Sequence, residues 1–144
     1  MVVDARVILE CLHKLDEYVR LLQPYRDWDV QQLTDDPMTY GGVLHYLQLS
    51  AQVDLDVCAH LNAELGLERA SDYRDAIVSL GKHDVLPREF AERIGTLSGF
   101  RNVLVHEYLT VDPLVVEKAL QDGLEELGAF AVYVTDFLKE EGYL

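Results

Sequence analysis

The fold is decided by the stretch over residues 87–108, which reads PREFAERIGTLSGFRNVLVHEY. Proline at the first helical position loses no hydrogen bond, so Pro87 is a suitable helix start. At about 100° per residue, the stretch collects most of its large apolar side chains on one face. That face holds Phe90, Ile94, Leu97, Leu104, Val105 and Tyr108. The spacing predicts one long helix that reaches Tyr108 and lies centrally in a helical bundle.

Two features of this predicted helix are unusual. Arg101 falls in the middle of the apolar face, where a charge is costly unless it is paired or meets a partner. The opposite side carries Gly95, Gly99, Asn102 and His106. Each glycine inside a helix costs about 1 kcal/mol relative to alanine, which suggests that something approaches the backbone closely. Asn102 and His106 are one turn apart, so their side chains can touch.

The same residues also have purely structural explanations. Arg101 can be the ion-pair partner of one of the many carboxylates, and His106 can be a structural histidine. The two glycines can serve helix packing alone. Taken one residue at a time, the sequence leaves both interpretations open.

Helical periodicity continues before this stretch. The first apolar stripe ends ahead of Pro24, and we expect a polar loop from Arg26 to Asp36. Asp36 and Pro37 then form an N-cap followed by proline at the first helical position. A second stripe ends at Gly66, which suits a C-terminal cap. The two stripes consist of Ile8, Leu12, Leu15, Val19 and Leu22, and of Tyr40, Leu44, Leu47, Ala51, Leu55, Cys58 and Leu65.

The remaining segments also carry the start and stop signals of helices. Ser71 is a candidate cap for a short helix that stops at Gly81, and the KHDVLP segment after it is a turn. Asp112 and Pro113 repeat the Asp-Pro start signal for a last helix, which Gly142 ends. Four longer helices and one short helix predict an all-α bundle. We expect a single domain over residues 1–144.

Composition limits the functional classes. The formal net charge is −14 and the isoelectric point is about 4.5. Non-specific nucleic-acid binding depends on Lys and Arg that neutralise phosphates, so this composition is unfavourable for it. An RNA site must therefore be a local patch or be assembled by pairing subunits. Cys11 and Cys58 have no metal-ligand spacing and suggest a reducing compartment. The charged N-terminal segment does not resemble a signal peptide, and no stretch approaches a membrane span. We expect a cytoplasmic protein.

The segment GFRNVLVHEY, residues 99–108, resembles the signature of HEPN-domain toxins of the HepT-like family, which are encoded beside minimal nucleotidyltransferase antitoxins. The pattern in that group is Arg-x4-His-x-Tyr, and Arg101, Asn102, His106 and Tyr108 fill its positions. The flanks DYRDAIVSLGKHDVLPREFAERIGTLS and LTVDPLVV also look like the central region of the family. The likeness covers about half of the chain strongly.

The resemblance implies a HEPN-type, dimeric fold with two copies of the motif at a subunit cleft. It implies a metal-independent endoribonuclease without a cofactor, in which Arg101 and His106 are catalytic and Asn102 positions the substrate. Tyr108 is then the tyrosine that a nucleotidyltransferase antitoxin modifies with AMP. The expected partners are RNA, a second copy of the chain and that antitoxin.

Two alternatives compete with this interpretation. The first is a non-catalytic HEPN module that binds or scaffolds other proteins, which the strong acidity favours. The second is an unrelated helical bundle that binds a small ligand in its core. A metal site has little support, because Asp56 and His60 are spaced for a shared ligand but have no third partner motif.

Overall fold

A computed structural model of the protein describes residues 3–67, 71–95 and 111–144. These residues form helices and connecting turns, without a β-strand in the described ranges. The all-α prediction is confirmed. The α-helices are α1 (Ala5–Leu22), α2 (Val30–Asp35), α3 (Pro37–Glu64), α4 (Tyr73–Lys82), α5 (Arg88–Ile94), α6 (Pro113–Lys118) and α7 (Leu124–Glu140). A 3₁₀ turn, Gln23–Tyr25, follows α1, and a π-helical segment, Ala119–Gly123, joins α6 to α7.

Aspartates begin the helices where the sequence predicts Asp-Pro starts. The Asp36 carboxylate accepts a hydrogen bond from the backbone N–H of Thr39 at 3.2 Å. The Asp112 carboxylate accepts one from Leu114 at 3.0 Å. Both helices have proline in their first turn, where a missing N–H costs nothing. These two predicted starts are confirmed.

The cap predicted for α4 is wrong by one residue. Asp72, and not Ser71, is the N-cap, and its carboxylate accepts from the backbone N–H of Asp75 at 2.8 Å. The Ser71 hydroxyl instead donates to the Asp75 carboxylate. Both residue types are good N-caps, so sequence alone does not separate neighbouring candidates.

The polar loop predicted between Arg26 and Asp36 is also wrong in part, because it contains α2. Asp29 and Gln32 form a capping box there: Asp29 accepts from the backbone of Gln32 at 2.8 Å, and Gln32 accepts from the backbone of Asp29 at 3.0 Å. Leu33 anchors the helix in the core with no exposed surface. The reciprocal cap compensates for a helix too short to show an apolar stripe.

The prediction that one helix runs without a break over residues 87–108 is wrong at Gly95. Helix α5 ends at Ile94 with Gly95 as its C-cap, a residue whose low helix propensity favours a termination. The rest of the predicted helix, residues 96–108, lies outside the described residues.

The core forms where α3 packs against α1 and α4, α4 against α5, and α1 against α7. The first predicted stripe is largely confirmed, since four of its five residues are buried and Val19 is partly exposed. The second stripe is buried at its centre and partly exposed at its ends. Residues buried at that centre are Leu47, Ala51, Leu55 and Cys58.

The last predicted helix exists as a continuous helical rod with a π-helical interruption. Its buried side chains run from Val116 through Leu120 and Leu124 to Leu138. The wider π turn changes the angular step at this point, and residues on both sides of it still face the core. Among the described residues, no helix combines the length and the apolar character that crossing a membrane requires.

Candidate functional site

The four residues singled out from the sequence, Arg101, Asn102, His106 and Tyr108, lie outside the described residues. The structure shows the framework on either side of them. Phe90, in α5, is buried and meets the Tyr133 ring of α7 edge to face, with ring centroids 4.8 Å apart. On the far side, Val111 is buried and leads into α6. The chain is therefore anchored in the core just before residue 96 and just after residue 110.

Two glycines, Gly81 and Gly95, lie where α4 meets α5, directly before residues 96–110, which contain the motif and are called the motif segment. A methyl group at Gly81 would lie 2.7 Å from the Cβ of Ala91 and 3.4 Å from the Cα of Arg88. A methyl group at Gly95 would lie 3.6 Å from the Cγ of Arg74. The α4 and α5 backbones thus approach closely at Gly81, and the Arg74 stem packs over the end of α5.

A buried carboxyl in α3 was missed by the sequence analysis. Asp54 has no exposed surface, and neither of its oxygens has a hydrogen-bond partner in the described part of the chain. Burial raises the pKa of Asp54 well above its ordinary value, since the charged form is poorly solvated. The available signal was its place between Leu47 and Cys58, on the predicted apolar stripe.

The Asp54 environment extends along α3. Burial raises the pKa of the Cys58 thiol well above its ordinary value, and the Asp54 carboxyl adds to the rise. One turn further, the Asn62 side-chain amide donates to the carbonyls of Cys58 at 2.9 Å and Ala76 at 2.7 Å. The second bond ties α3 to α4. On this side of α3, the Asn62 amide nitrogen donates two hydrogen bonds, whereas the Asp54 carboxyl has no hydrogen-bond partner in the described ranges.

Helix α3 also carries Asp56 and His60, the pair whose spacing suits a shared ligand. Asp56 is exposed and accepts a hydrogen bond from the Gln52 side chain at 2.7 Å. Nε2 of His60 is buried without a partner in the described ranges. Burial raises the pKa of the half-buried Cys11 thiol, and Asp56 contributes to the rise. No three metal-ligating side chains among the described residues come together as a metal site.

Charge is unevenly distributed along the chain. Residues 3–67 contain four Lys and Arg against eleven Asp and Glu, and residues 111–144 contain two against eight. Residues 71–95, which hold α4 and α5, contain four against five. Residues 71–95 are therefore the described range that least repels a polyanion, whereas residues 111–144, on the other side of residues 96–110, are strongly acidic.

The helical architecture is that of the HEPN toxins, as predicted. The structure resembles a solved tri-AMPylated HEPN toxin of Shewanella oneidensis in complex with MNT antitoxin, with a TM-score of 0.80. The two chains are 20% identical, and the match covers 90% of this chain and 97% of the other. At this identity, the likeness establishes the fold.

The sequence defines the family within that fold. The model of the family described as Ribonuclease HepT-like matches residues 8–134, and the chain belongs to this family. The resemblance stated from the motif is thereby confirmed at the level of the family.

Two curated relatives carry nuclease names. The tRNA nuclease HepT of Aphanizomenon flos-aquae is 33% identical over 92 residues, which are 64% of this chain and 63% of that protein. The chain thus matches slightly less than two thirds of that relative. The mRNA nuclease HepT of Shewanella oneidensis is 24% identical over 111 residues, which are 77% of this chain and 82% of that protein.

Proposed function

We propose that this chain is the toxin of a toxin–antitoxin system, a cytoplasmic, metal-independent endoribonuclease that acts through Arg101 and His106. The observation that carries the proposal is the family match over residues 8–134, a range that includes the complete Arg-x4-His-x-Tyr sequence. The nuclease names of two relatives support the reaction class. We take residues 1–144 as one HepT-like domain.

The proposed reaction uses the 2′-hydroxyl of RNA as the nucleophile. His106 suits the proton transfers, because the ordinary pKa of a histidine lies near 6.5. The 2′-oxygen loses its proton and bonds to phosphorus, while the bond from phosphorus to the 5′-oxygen breaks and that oxygen gains a proton. Arg101 stabilises the extra negative charge of the transition state by bidentate hydrogen bonds. Asn102 positions the phosphate. No step needs a metal or a cofactor.

A homodimer completes this proposal. Two motifs at one cleft supply two copies of His106, which can divide the base and acid roles. They also bring two copies of Arg101 to a chain whose net charge is −14, and so raise the local positive charge where RNA binds. A protein that sediments only as a monomer at the concentration of an activity assay would contradict this part.

Tyr108 is the proposed point of regulation by a nucleotidyltransferase antitoxin. Attaching AMP to its hydroxyl adds negative charge and bulk seven residues after Arg101, which opposes the binding of an RNA phosphate. Co-expression with such an antitoxin should add AMP mass to the toxin and abolish cleavage. Tyr108→Phe should prevent both effects. A mass gain that persists in Tyr108→Phe would move the modification to another residue.

Toxicity separates the enzyme from its main alternative. A ribonuclease expressed alone should slow growth, and Arg101→Ala and His106→Ala should each remove this effect at equal protein levels. A non-catalytic scaffold, which the strong acidity favours, should leave growth unchanged in all three forms. Equal growth inhibition by the wild-type chain and both alanine variants would exclude the motif as the cause.

A further inference from the structure

Helix α1 carries an open groove whose lining is mostly apolar. The groove has a volume of about 860 Å³ and follows the first half of α1, with Tyr143 and Leu144 as its other wall. Val7 and Leu9 are exposed beside it, and the Cys11 side chain is half-buried. Apolar surface that stays in contact with water is unfavourable, and a contiguous patch often marks an interaction site. The groove is therefore a candidate contact surface.

Four polar side chains form a line on the side of α1 that faces away from the core. At 100° per residue, Arg6, Glu10, His13 and Glu17 lie within about 60° of one another. All four are exposed, and the buried residues of α1 lie on the opposite side. The spacings between successive members are four, three and four residues, so the line is symmetric about its centre. We call these four residues the α1 charge line.

The α1 charge line is complementary to its own reverse. In two antiparallel copies, Arg6 meets the partner's Glu17, and Glu10 meets the partner's His13. Each contact occurs twice, because a two-fold axis makes one patch meet the same patch of the other copy. A histidine N–H donates to a carboxylate in either charge state of the ring. Every member of the line therefore meets a complementary side chain.

The line is only partly neutralised within one chain. In the described ranges, Arg6 and Glu10 have no oppositely charged atom within 4.0 Å. Glu17 lies 3.6 Å from His13 and 3.4 Å from Lys14. Arg6 and Glu17 are eleven residues apart, about 16 Å along the helix axis, so they cannot pair within one copy. A second copy brings these two charges together.

The charges around the line are nearly balanced. Residues 4–20 contain three Lys and Arg and four Asp and Glu. Of these, Asp4 caps α1, and Asp16 pairs with Arg20 at 2.9 Å. Beside the groove, residues 139–141 add one Lys and two Glu. The rest of the chain carries most of the net charge of −14, so two copies meet at α1 with little net repulsion.

We propose that the α1 charge line and the groove beside it form a contact between two antiparallel copies of this chain. The two-fold axis passes between Cys11 and Leu12, halfway between Arg6 and Glu17. A second helix laid along the line covers the exposed Val7 and Leu9 on its two sides. A second copy is the occupant that fits, because the charge pattern is complementary to itself. The inference does not depend on the proposed function and uses no residue of the motif.

The test reverses the charges of the contact between Arg6 and the partner's Glu17. Sedimentation velocity at low salt, over a range of protein concentrations, gives the midpoint concentration of each association step. Arg6→Glu and Glu17→Arg are measured alone and as an equimolar mixture. Lys118→Glu and Asp136→Arg are the matched controls, because they make the same changes in net charge at exposed positions outside α1. Far-UV circular dichroism confirms that every variant remains helical.

Each α1 variant alone should need about 10-fold more protein to associate through α1, because two attractive contacts become two contacts between like charges. The mixture of Arg6→Glu and Glu17→Arg should recover the wild-type midpoint. In a mixed pair, each chain carries the charges that the other chain requires. The control variants should keep the wild-type midpoint, both alone and mixed.

Three results would overturn the inference. The first is a wild-type chain that stays monomeric at every concentration. The second is association of Arg6→Glu and Glu17→Arg at the same concentrations as their controls, which would show that α1 is not in contact. The third is a mixture that associates no better than its two components, which would show that Arg6 does not meet the partner's Glu17. None of these results bears on RNA cleavage, so the proposed function is tested separately.

Discussion

Among single residues, Asp54 makes the stability of the helical bundle depend on pH. Its carboxyl is fully buried without a hydrogen-bond partner in the described ranges, and burial raises its pKa well above the ordinary value of 3.8. The folded protein therefore retains a proton that the unfolded chain loses at lower pH. The stability that depends on this proton is complete below pH 3.8 and is lost as the pH rises through the raised pKa.

Asp54→Asn should consequently be more stable than the wild type at neutral pH. Its advantage should grow as the pH rises above about 4, by at most about 1.4 kcal/mol per pH unit. Urea unfolding at several pH values measures the difference. Asp56→Asn, at an exposed position two residues away, should show no comparable trend. An advantage of Asp54→Asn that does not change with pH would contradict this explanation.

The difference between Arg101 and Asp54 shows what residue patterns can predict. Arg101 stands out in the sequence because a charge on an apolar stripe coincides with a motif spacing. Asp54 lies beside equally apolar neighbours, but one carboxylate among 26 acidic residues carries no motif. Its burial and its lack of a hydrogen-bond partner in the described part of the chain depend on how the helices pack, which the sequence pattern does not show.

At the scale of helices and their contacts, the junction of α4 and α5 depends on Gly81. Gly81→Ala places a methyl group 2.7 Å from the Cβ of Ala91, which cannot rotate away. We expect a loss of about 1–3 kcal/mol in the free energy of unfolding, the usual cost of overpacking. Denaturant unfolding provides the measurement.

Gly128→Ala is the matched control for this contact. A methyl group at Gly128, in α7, meets nothing within 4 Å. Alanine should therefore stabilise that helix by about 0.5–1 kcal/mol. If both glycine substitutions change stability in the same direction by the same amount, the close approach at Gly81 does not control the junction.

Helix α2 should depend on its capping box. Asp29→Ala removes one bond of the reciprocal pair with Gln32 and should cost about 0.5–2 kcal/mol. Asp27→Ala, at an exposed position outside the helix, should change stability by less than about 0.5 kcal/mol. Thermal unfolding of the two variants checks this. Equal losses would show that the cap contributes nothing specific.

Sequence patterns predicted the long helices but missed two local features, the short helix α2 and the end of α5 at Gly95. The stripes of α1 and α3 repeat over several turns, so the burial of their central residues follows from periodicity. Helix α2 has six residues, too few for a stripe, and is stabilised by its capping box. The end of α5 at Gly95 was missed because apolar spacing continues beyond it, although that glycine has low helix propensity.

For the molecule overall, the proposed RNA substrate must bind a chain whose net charge is −14. Residues 3–67 and 111–144 carry most of the net negative charge, and residues 71–95 are nearly balanced. Residues 71–95 are therefore the described segment that least repels the RNA substrate of the proposed function. The acidic remainder suits solubility and the docking of a basic protein surface. Family membership follows from the match over residues 8–134, whereas the roles of Arg101 and His106 belong to the proposed function.

The most direct test is RNA cleavage by purified, unmodified protein, with and without EDTA, beside His106→Ala. We expect that tRNA or cellular RNA is cut and that EDTA leaves the rate unchanged. We also expect that His106→Ala reduces the rate by at least about 100-fold, the usual contribution of a general acid–base residue. Cleavage that EDTA abolishes, or that survives His106→Ala, would contradict these expectations. Intact RNA after incubation with folded, dimeric, unmodified protein would favour the scaffold.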